Sequence, residues 1–311
     1  PETPSISTEI NTFIVLAHLY SLFAYVLLYY WTNIDTVIQT SQEYFMNPLN
    51  YDSNCKIMII GVGLMGQYMA RHVSQWLDVS QLVLVDANED ISVDGNPMPL
   101  KTFAAGLNSN TVAETTDVRS EEQVSDLFKR YPNIRYLMYT AGISPRPLVP
   151  PEALTKEDVM NACEVNLWGA HNVIKQGIQH SGFSERSHAV LILSTSATVG
   201  SEGRASAAYE ESKGGLLNLL TLQSRYFLEE HGIQLNGLAP SPLRGPMAAQ
   251  NPISADRLQA VEDTMPIGSL TTPEHIAAAT MYFWSNECWC VGEVLTTDGG
   301  YTKHQPIYGP L

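Results

Sequence analysis

The sequence predicts an α/β fold in which helices cover both faces of a doubly wound parallel sheet, giving three layers. Apolar, β-branched runs at residues 56–60, 82–85 and 189–193 lack the alternation of half-exposed strands and are typical of strands buried in a parallel sheet. Stretches with helical spacing of apolar residues follow them, as in βα units. With 311 residues, 44% of them apolar, the chain is long enough for one large globular domain or two small ones.

The charge balance is acidic, with 32 Asp and Glu residues against 17 Lys and Arg residues and a net charge of -15. Such a charge disfavours nucleic acid and anionic membrane surfaces, so we expect no nucleic-acid partner and do not favour membrane association. The four cysteines form no C-x-x-C pair, and Cys288-Trp289-Cys290 is too tight for a usual zinc knuckle. We therefore expect no metal site, reduced thiols and a cytoplasmic protein.

The first 55 residues form an extension of unusual composition. No Lys or Arg precedes Lys56, and an apolar run from Phe13 to Trp31 predicts a helix over about residues 11–31, long enough to cross a bilayer. The basic residues of a secretory signal or of an anchor's flanks are missing, and four tyrosines and His18 lie inside the run. We favour packing of this helix against the protein's own body or a second subunit, with peripheral membrane association as the alternative.

A glycine-rich turn follows the first predicted strand. The strand at 56–60 leads into the sequence GVGLMG, and a helical pattern then continues to Leu77. A strand, a G-x-G-x-x-G turn and a helix in this order seat a pyrophosphate on the helix N-terminus, as in the Rossmann fold. We therefore assign cofactor binding in this turn to Gly61, Gly63, Leu64, Met65 and Gly66.

An acid ends the second predicted strand. Asp86 lies twenty residues after Gly66, where a carboxylate is expected to bind the ribose 2′-hydroxyl. A carboxylate there would repel a 2′-phosphate, so we predict NAD(H) in preference to NADP(H). The alternative is that Asp86 is a solvated residue at a strand end.

Later βα units bring polar and small residues to the same edge of the sheet. Asp117-Val118 precedes a helix with acids in its first turn, and Ala141-Gly142 follows a buried strand. Small residues at a strand end let a flat ring approach the backbone. Asn166 lies inside a helix predicted over about residues 155–180. It is either a surface residue or a residue that holds a water molecule where the helix is kinked.

The stretch after the strand at 189–193 carries a potential proton relay. Tyr209 and Lys213 are four residues apart, so on a helix they share one face. An ammonium beside a phenol lowers the pKa of the phenol, which can then exchange a proton with a carbonyl or alcohol oxygen. Ser196, at the carboxyl end of the strand, could hold that oxygen by a hydrogen bond.

From Lys56 to Tyr301 the chain resembles the short-chain dehydrogenase/reductase family. The motifs above come in the family's order, and Ser196 precedes Tyr209 by the thirteen residues that are typical of it. The glycine turn is one residue shorter than usual. Three later stretches also match, the last of them being the ending of the short, single-domain branch: Leu235-Asn236 through Pro240, Pro273 to Ala277, and Asp298-Gly299-Gly300-Tyr301.

The resemblance implies an oxidoreductase that interconverts a secondary alcohol and a ketone with a nicotinamide cofactor. Tyr209 would be the general acid/base, and Lys213 would lower its pKa and bind the nicotinamide ribose. Ser196 would orient the substrate oxygen, and Asn166 would hold a water in the relay. Cofactor contacts outside the glycine turn would come from Asp86, Asp117, Val118, Ala141, Gly142, Tyr209, Lys213, Pro240 and Leu243.

The resemblance also sets the expected organisation. We expect an extension over residues 1–55, a single Rossmann-fold oxidoreductase domain over 56–311 and a mobile lid over about 244–270. The lid is a mixture of apolar groups with few charges, so we expect a small, moderately apolar carbonyl or alcohol substrate. Family members commonly form homodimers or homotetramers, which we expect here by analogy.

Two other functions stay open. An epimerase or lyase of the longer sugar-nucleotide branch shares the glycine turn and the Tyr-Lys pair, but the Asp298-Gly299-Gly300 ending and the expected lack of a separate C-terminal domain argue against it. A non-catalytic nucleotide-sensing scaffold could use the same fold. Such proteins commonly lose the tyrosine or the lysine, and this sequence has both.

Overall fold

The structure is a computed structural model that describes residues 49–108, 110–144, 151–199, 207–244 and 255–303, with the backbone alone for 255–257. The chain divides into two compact units, Pro1–Asn50 and Tyr51–Leu311, and nearly all described residues belong to the second. The helix predicted over about residues 11–31 and the lid residues 245–254 lie outside the described residues.

A parallel sheet forms the centre of the second unit. The described strands are β1 (Cys55–Ile60), β2 (Val79–Asp86), β3 (Asp90–Val93), β4 (Asn96–Pro99), β5 (Thr111–Thr115), β6 (Ile134–Tyr139), β7 (Phe183–Ile192), β8 (Ile233–Pro240) and β9 (Val294–Thr297). Seven of them form the sheet in the order β5-β2-β1-β6-β7-β8-β9, with every neighbouring pair parallel. This arrangement confirms the doubly wound parallel sheet predicted from the sequence.

Helices lie on both faces of this sheet. Those described are α1 (Leu64–Trp76), α2 (Leu100–Ala105), α3 (Glu121–Arg130), α4 (Lys156–Cys163), α5 (Gly169–Gln179), α6 (Ala207–His231), α7 (Ala255–Asp263) and α8 (Pro273–Trp284). Ile57 of β1 belongs to one buried cluster with Met69 and Trp284, whereas its neighbour Met58 belongs to a second cluster with Phe128. Because successive strand residues point to opposite faces, this division confirms the three-layer fold. No helix in the described ranges is long and apolar enough to cross a bilayer.

A small hairpin, which the sequence analysis did not predict, follows β2. Strands β3 and β4 pair in antiparallel fashion around a turn at Asp94 and Gly95, whose φ angles are 50° and 83°. Two central residues with positive φ fit the type I′ turn that Asp-Gly favours. Gln67 Nε2 donates hydrogen bonds of 2.9 Å to Val62 O and to Ser92 O, so the hairpin is tied to the glycine turn.

The helix predicted over about residues 155–180 is interrupted. Between α4 and α5, residues Glu164–Trp168 form a π-helical turn, and Asn166 within it is fully buried. Single π turns inside helices are frequent at functional sites. The interpretation of Asn166 as a surface residue is therefore excluded by its burial.

Candidate active site

The sheet reverses its strand order between β1 and β6, and the segments that leave these two strands lie together. The backbone N–H groups of Thr140 and Ala141 both donate to Ile60 O, at 2.8 and 2.9 Å. Ligands of open α/β sheets bind in the crevice at such a reversal, outside the carboxyl ends of the strands. The predicted site residues all lie on segments that reach this edge.

Two glycines of the turn are required by the close packing of the backbone. Gly61 has φ +94°, and a Cβ there would come within 2.4 Å of Ala141 N. A Cβ on Gly66 would lie 2.1 Å from Gly61 O. Neither position accepts a side chain without a shift of the backbone.

The third glycine has a different environment. Gly63 is the N-cap of α1, and a Cβ built on it would meet no atom within 4 Å. Leu64 and Met65 form the start of the first helical turn, where amide groups have no partner within the helix. A helix N-terminus with an open face in front of it fits a dinucleotide pyrophosphate.

Asp86 ends β2 beside this turn. Its Oδ2 accepts a hydrogen bond of 2.8 Å from Val62 N. Its Oδ1 accepts two bonds from Asn88, of 3.0 Å from the backbone N and 3.1 Å from Nδ2. A carboxylate oxygen can accept about two bonds, so Oδ2 keeps one position for a ribose hydroxyl. Asn88, which the sequence analysis missed, therefore orients the carboxylate.

Asp117 and Val118 follow β5 at the same edge, but their side chains are already engaged. Arg119 forms an ion pair of 2.6 Å with Asp117 Oδ2, and its hydrogen bonds lower the pKa of Asp117. The side chain of Val118 is buried, and its carbonyl accepts a bond of 2.8 Å from Asn172 Nδ2. Both residues therefore lie at this edge of the sheet, and the Asp117 carboxylate already has Arg119 as a partner.

Gly142 connects the end of β6 with the relay residues. A Cβ on Gly142 would lie 3.3 Å from Asn166 Oδ1 and 3.5 Å from Lys213 Nζ. Asn166 Oδ1 accepts from Ile143 N at 2.8 Å, and its Nδ2 donates to Ile143 O at 2.9 Å and to Ser212 Oγ at 2.8 Å. Both donors of the amide are used, so this side chain clamps the segment after β6 to α6.

Lys213 lies one turn after Tyr209 on α6, as the spacing predicts. Its side chain is buried and its Nζ donates a hydrogen bond of 2.7 Å to Ile192 O at the end of β7. The same nitrogen lies 5.7 Å from the centre of the Tyr209 ring. Burial lowers the pKa of Lys213 to about 8. A lysine held in this way is well placed to act on the phenol and on a ribose beside it.

Burial raises the pKa of Tyr209, and the neighbouring side chain of Ser194 acts against this shift. The net direction is opposite to the lowering expected from Lys213 alone, because removal of the phenolate from water outweighs the favourable contacts.

Ser194 was not singled out from the sequence. Its Oγ also accepts a bond of 3.1 Å from Ser196 N, so Ser194 caps the short 3-10 turn over Thr195–Ala197. Ser194 is 9% exposed, and Ser196 is half-buried. The spacing of thirteen residues favoured Ser196, whereas the turn brings the hydroxyl of Ser194 to the tyrosine. The position of Ser194, directly after the apolar run, was the available signal.

The segment after β8 forms the other side of the site. Ser241 Oγ lies 2.7 Å from Thr271 Oγ1, and Arg244 forms an ion pair with Glu262 of α7. The first contact joins the two residues that flank the expected lid, and the second joins two residues within it. Two of the predicted cofactor contacts lie here: Pro240, the buried last residue of β8, and Leu243, which packs partly buried against the core.

The fold and this site define a class, the nucleotide-dependent α/β oxidoreductases. The family model described as Enoyl-(Acyl carrier protein) reductase matches residues 80–302. The chain belongs to the short-chain dehydrogenase/reductase family and is an NAD(P)-dependent oxidoreductase. The matched range begins after the glycine turn, so the assignment of that turn rests on its geometry.

Several characterised proteins are similar in sequence. The chain is 30% identical over 193 residues to cis-4-hydroxycyclohexanecarboxylate dehydrogenase of Sinomonas cyclohexanicum, covering 60% of this chain and 75% of that protein. It is 28% identical over 202 residues to L-fucose dehydrogenase of Mus musculus, covering 62% and 71%. It is 23% identical to 3-oxoacyl-(acyl-carrier-protein) reductase FabG of Rickettsia prowazekii (strain Madrid E), covering 71% and 86%.

Solved structures show the same fold. A short-chain dehydrogenase/reductase from Brucella melitensis superimposes with a TM-score of 0.70 at 22% identity, covering 81% of this chain and 99% of that one. A 3-ketoacyl-(acyl-carrier-protein) reductase from Brucella melitensis, complexed with NADH, gives a TM-score of 0.67 at 20% identity, covering 80% and 99%. Within the described ranges of our structure, no group of three or more His, Cys, Asp or Glu residues is arranged to hold a metal ion.

Proposed function

We propose that the protein interconverts a secondary alcohol and a ketone with NAD(H). The observation that carries the proposal is the contact of Tyr209 with Ser194 on one side and Lys213 on the other, at the carboxyl edge of the sheet. Tyr209 is the proton donor or acceptor for the substrate oxygen at its Oη. Ser194 or Ser196 holds that oxygen beside the phenol.

The remaining roles follow from the contacts of each residue. Lys213, fixed by Ile192 O, supplies positive charge next to the phenol and binds the nicotinamide ribose. Asn166 keeps Gly142 and Lys213 close together by clamping Ile143 to α6, and we propose that it belongs to the proton relay with a bound water. A bound nicotinamide supplies the hydride acceptor or donor.

We propose NAD(H) as the preferred cofactor. Asp86 is oriented by Val62 and Asn88 and keeps an acceptor position for a ribose hydroxyl. Residues 86–94 contain four acids and no basic residue, so a 2′-phosphate near this stretch would meet uncompensated negative charge. Binding of NADP(H) would therefore be weak. Asp117, Val118, Ala141, Gly142, Pro240 and Leu243 complete the proposed cofactor site.

The substrate proposed is a small, moderately apolar alcohol or carbonyl compound. The similar enzymes named above act on a hydroxycyclohexane carboxylate, on L-fucose and on a 3-oxoacyl-(acyl-carrier-protein), as their names state. All of these are hydroxyl or oxo compounds, which supports the reaction class. They do not specify the carbon skeleton of the substrate.

The organisation expected from the sequence is likewise proposed here. We infer one oxidoreductase domain over residues 56–311, an extension over 1–55, a cytoplasmic location and a homodimer or homotetramer. Leu222 and Tyr226 on α6 are 72% and 57% exposed one turn apart, which supports a contact between subunits on this helix.

A panel of cyclic and open-chain ketones with NADH tests the proposed reaction. We expect oxidation of NADH with at least one ketone and formation of the matching secondary alcohol. Binding of NADH without turnover of any member would point to a nucleotide-sensing scaffold. Conversion of a sugar nucleotide without net change in NADH would point to an epimerase.

A further inference from the structure

The Cys288-Trp289-Cys290 motif takes no part in the proposed reaction. It lies in the loop between α8 and β9, where Gln234 Nε2 donates to Cys288 O and to Cys290 O, both at 2.9 Å. Gln234 is near the start of β8, and the candidate active site lies at the other end of that strand. The motif is therefore outside the active site.

Each thiol group contacts one polar side chain, and Gln234 contacts both cysteines. Cys288 is buried, and its Sγ lies 3.5 Å from Gln234 Nε2. Cys290 is half-buried, and its Sγ lies 3.5 Å from Tyr282 Oη. The residue between them is exposed, whereas both cysteines are at least half-buried, so their side chains turn toward the protein. A spacing of two residues keeps the two Cα atoms within about 7 Å, close to the distance that a disulfide spans.

The residue between the cysteines does not shield their thiol groups from solvent. Trp289 is 96% exposed, so the indole ring covers neither thiol. Cys290 is thus within reach of a small solute, whereas Cys288 lies behind it in the core. The two thiols therefore differ in accessibility as an attacking and a resolving cysteine do.

The surroundings of each thiol indicate which cysteine attacks and which resolves. Burial raises the pKa of Cys288 to about 11, so this thiol keeps its proton at neutral pH. The hydrogen bond with Cys290 raises the pKa of Tyr282 to about 12, so the phenol also stays protonated. The Tyr282 hydroxyl can donate a hydrogen bond to the Cys290 sulfur at 3.5 Å. Because Cys290 is the more exposed of the two thiols, it is the one that a solute reaches first and is the attacking cysteine.

We propose that Cys288 and Cys290 are a redox-responsive dithiol, which a low-molecular-weight disulfide, RSSR, oxidises to an intrachain disulfide. The Cys290 thiolate attacks one sulfur of RSSR, forms a mixed disulfide and releases RS⁻. Cys288 then loses its proton, attacks the Cys290 sulfur and releases the second RS⁻. Two protein thiols are oxidised and RSSR is reduced to two RSH, so electrons and protons balance.

Mass spectrometry of the full chain tests this proposal. The reduced protein is incubated with glutathione disulfide, unreacted thiols are alkylated in denaturant, and intact mass and peptides are measured. We expect the wild type to lose two of its four thiols, with a disulfide between Cys288 and Cys290 that dithiothreitol reverses. Cys288→Ser should retain one glutathione on Cys290, and Cys290→Ser should leave Cys288 unmodified.

The matched control is Cys163→Ser, which removes a half-buried thiol elsewhere and should form the same disulfide as the wild type. Circular dichroism shows whether each variant is folded. Four intact thiols in the wild type would overturn the proposal. So would stable glutathione on Cys290 of the wild type, or pairing of either cysteine with Cys55, Cys163 or a second chain.

Discussion

Lys213 Nζ lies 5.7 Å from the centre of the Tyr209 ring and donates a 2.7 Å hydrogen bond to Ile192 O. The bond to the carbonyl at the end of β7 fixes the nitrogen, so its distance from the phenol is set by the sheet and not by the lysine side chain alone. Because the pKa of Lys213 is about 8, the nitrogen is largely charged at neutral pH. We propose that this charge favours the phenolate of Tyr209 during proton transfer.

The two serines near Tyr209 can be distinguished by mutation. Ser194→Ala removes the hydroxyl group that lowers the pKa of the phenol, so we expect kcat to fall by about 10²-fold, the range for one hydrogen-bond donor at the reacting oxygen. Ser196→Ala is the matched control and should have the smaller effect if Ser194 orients the substrate oxygen. Steady-state kinetics of both variants measure this. A large loss with Ser196→Ala and none with Ser194→Ala would restore the assignment made from the spacing.

Two glycines of the turn should affect different properties, Gly66 the stability of the fold and Gly63 the binding of the cofactor. Gly66→Ala would place a Cβ 2.1 Å from Gly61 O, so we expect a loss of about 1–3 kcal/mol in the free energy of unfolding. A Cβ on residue 63 would meet no atom within 4 Å, and the φ of -76° suits alanine. Gly63→Ala should therefore fold normally but raise the KM for NADH. Urea unfolding and cofactor titration measure the two effects. An unchanged KM for Gly63→Ala would place the pyrophosphate elsewhere.

Asp86 should set the choice between the two cofactors. Asp86→Ala removes both the acceptor for the ribose hydroxyl and the charge that repels a 2′-phosphate. We expect the ratio of kcat/KM for NADH over NADPH to fall by about 10-fold or more, which corresponds to about 1.4 kcal/mol. Asn88→Ala, which only loosens the carboxylate, should lower the ratio less. An unchanged ratio for Asp86→Ala would remove this residue from the ribose site.

His188 makes the stability of the fold depend on pH. It is buried against Tyr136, and its Nδ1 lies 2.8 Å from Phe283 O. Burial, with a contribution from Arg135, lowers the pKa of His188 from 6.5 to about 4. Between these values the unfolded chain binds a proton that the folded protein does not, so stability falls as the pH falls from 6.5 to about 4. The loss reaches about 3 kcal/mol at the acid end.

Urea unfolding across this range measures the effect. His188→Asn keeps a donor for Phe283 O but does not titrate, so its free energy of unfolding should change less between pH 6.5 and 4 than that of the wild type. Equal pH dependence of the two proteins would show that His188 is not the group responsible.

The sequence was sufficient wherever a local pattern decides the structure. Apolar runs such as Ile57–Ile60 became buried strands, and the glycine turn lies at the reversal of the strand order because a strand, turn and helix in series specify that geometry. Tyr209 and Lys213 share a helix face because a spacing of four residues requires it. The hairpin at Asp94-Gly95 also had a local signal, and it was missed because the segment is short.

Other features depend on contacts between distant segments. The amide of Asn166 is used by Ile143 and Ser212, which are far from it in sequence, and its π turn has no local signal. The proximity of Ser194 to Tyr209 depends on how the 3-10 turn closes after β7, which a residue count does not reveal. Such contacts are fixed by tertiary packing, and sequence patterns do not encode them one by one.

Tyr209→Phe is the most direct test of the proposed relay, because it removes one hydroxyl and keeps the ring. Turnover of a ketone that the wild type reduces should fall by at least about 10³-fold, since proton transfer to the substrate oxygen is lost. The dissociation constant for NADH should change little, because the glycine turn and Asp86 are intact. Turnover close to that of the wild type, with NADH still bound, would contradict the account.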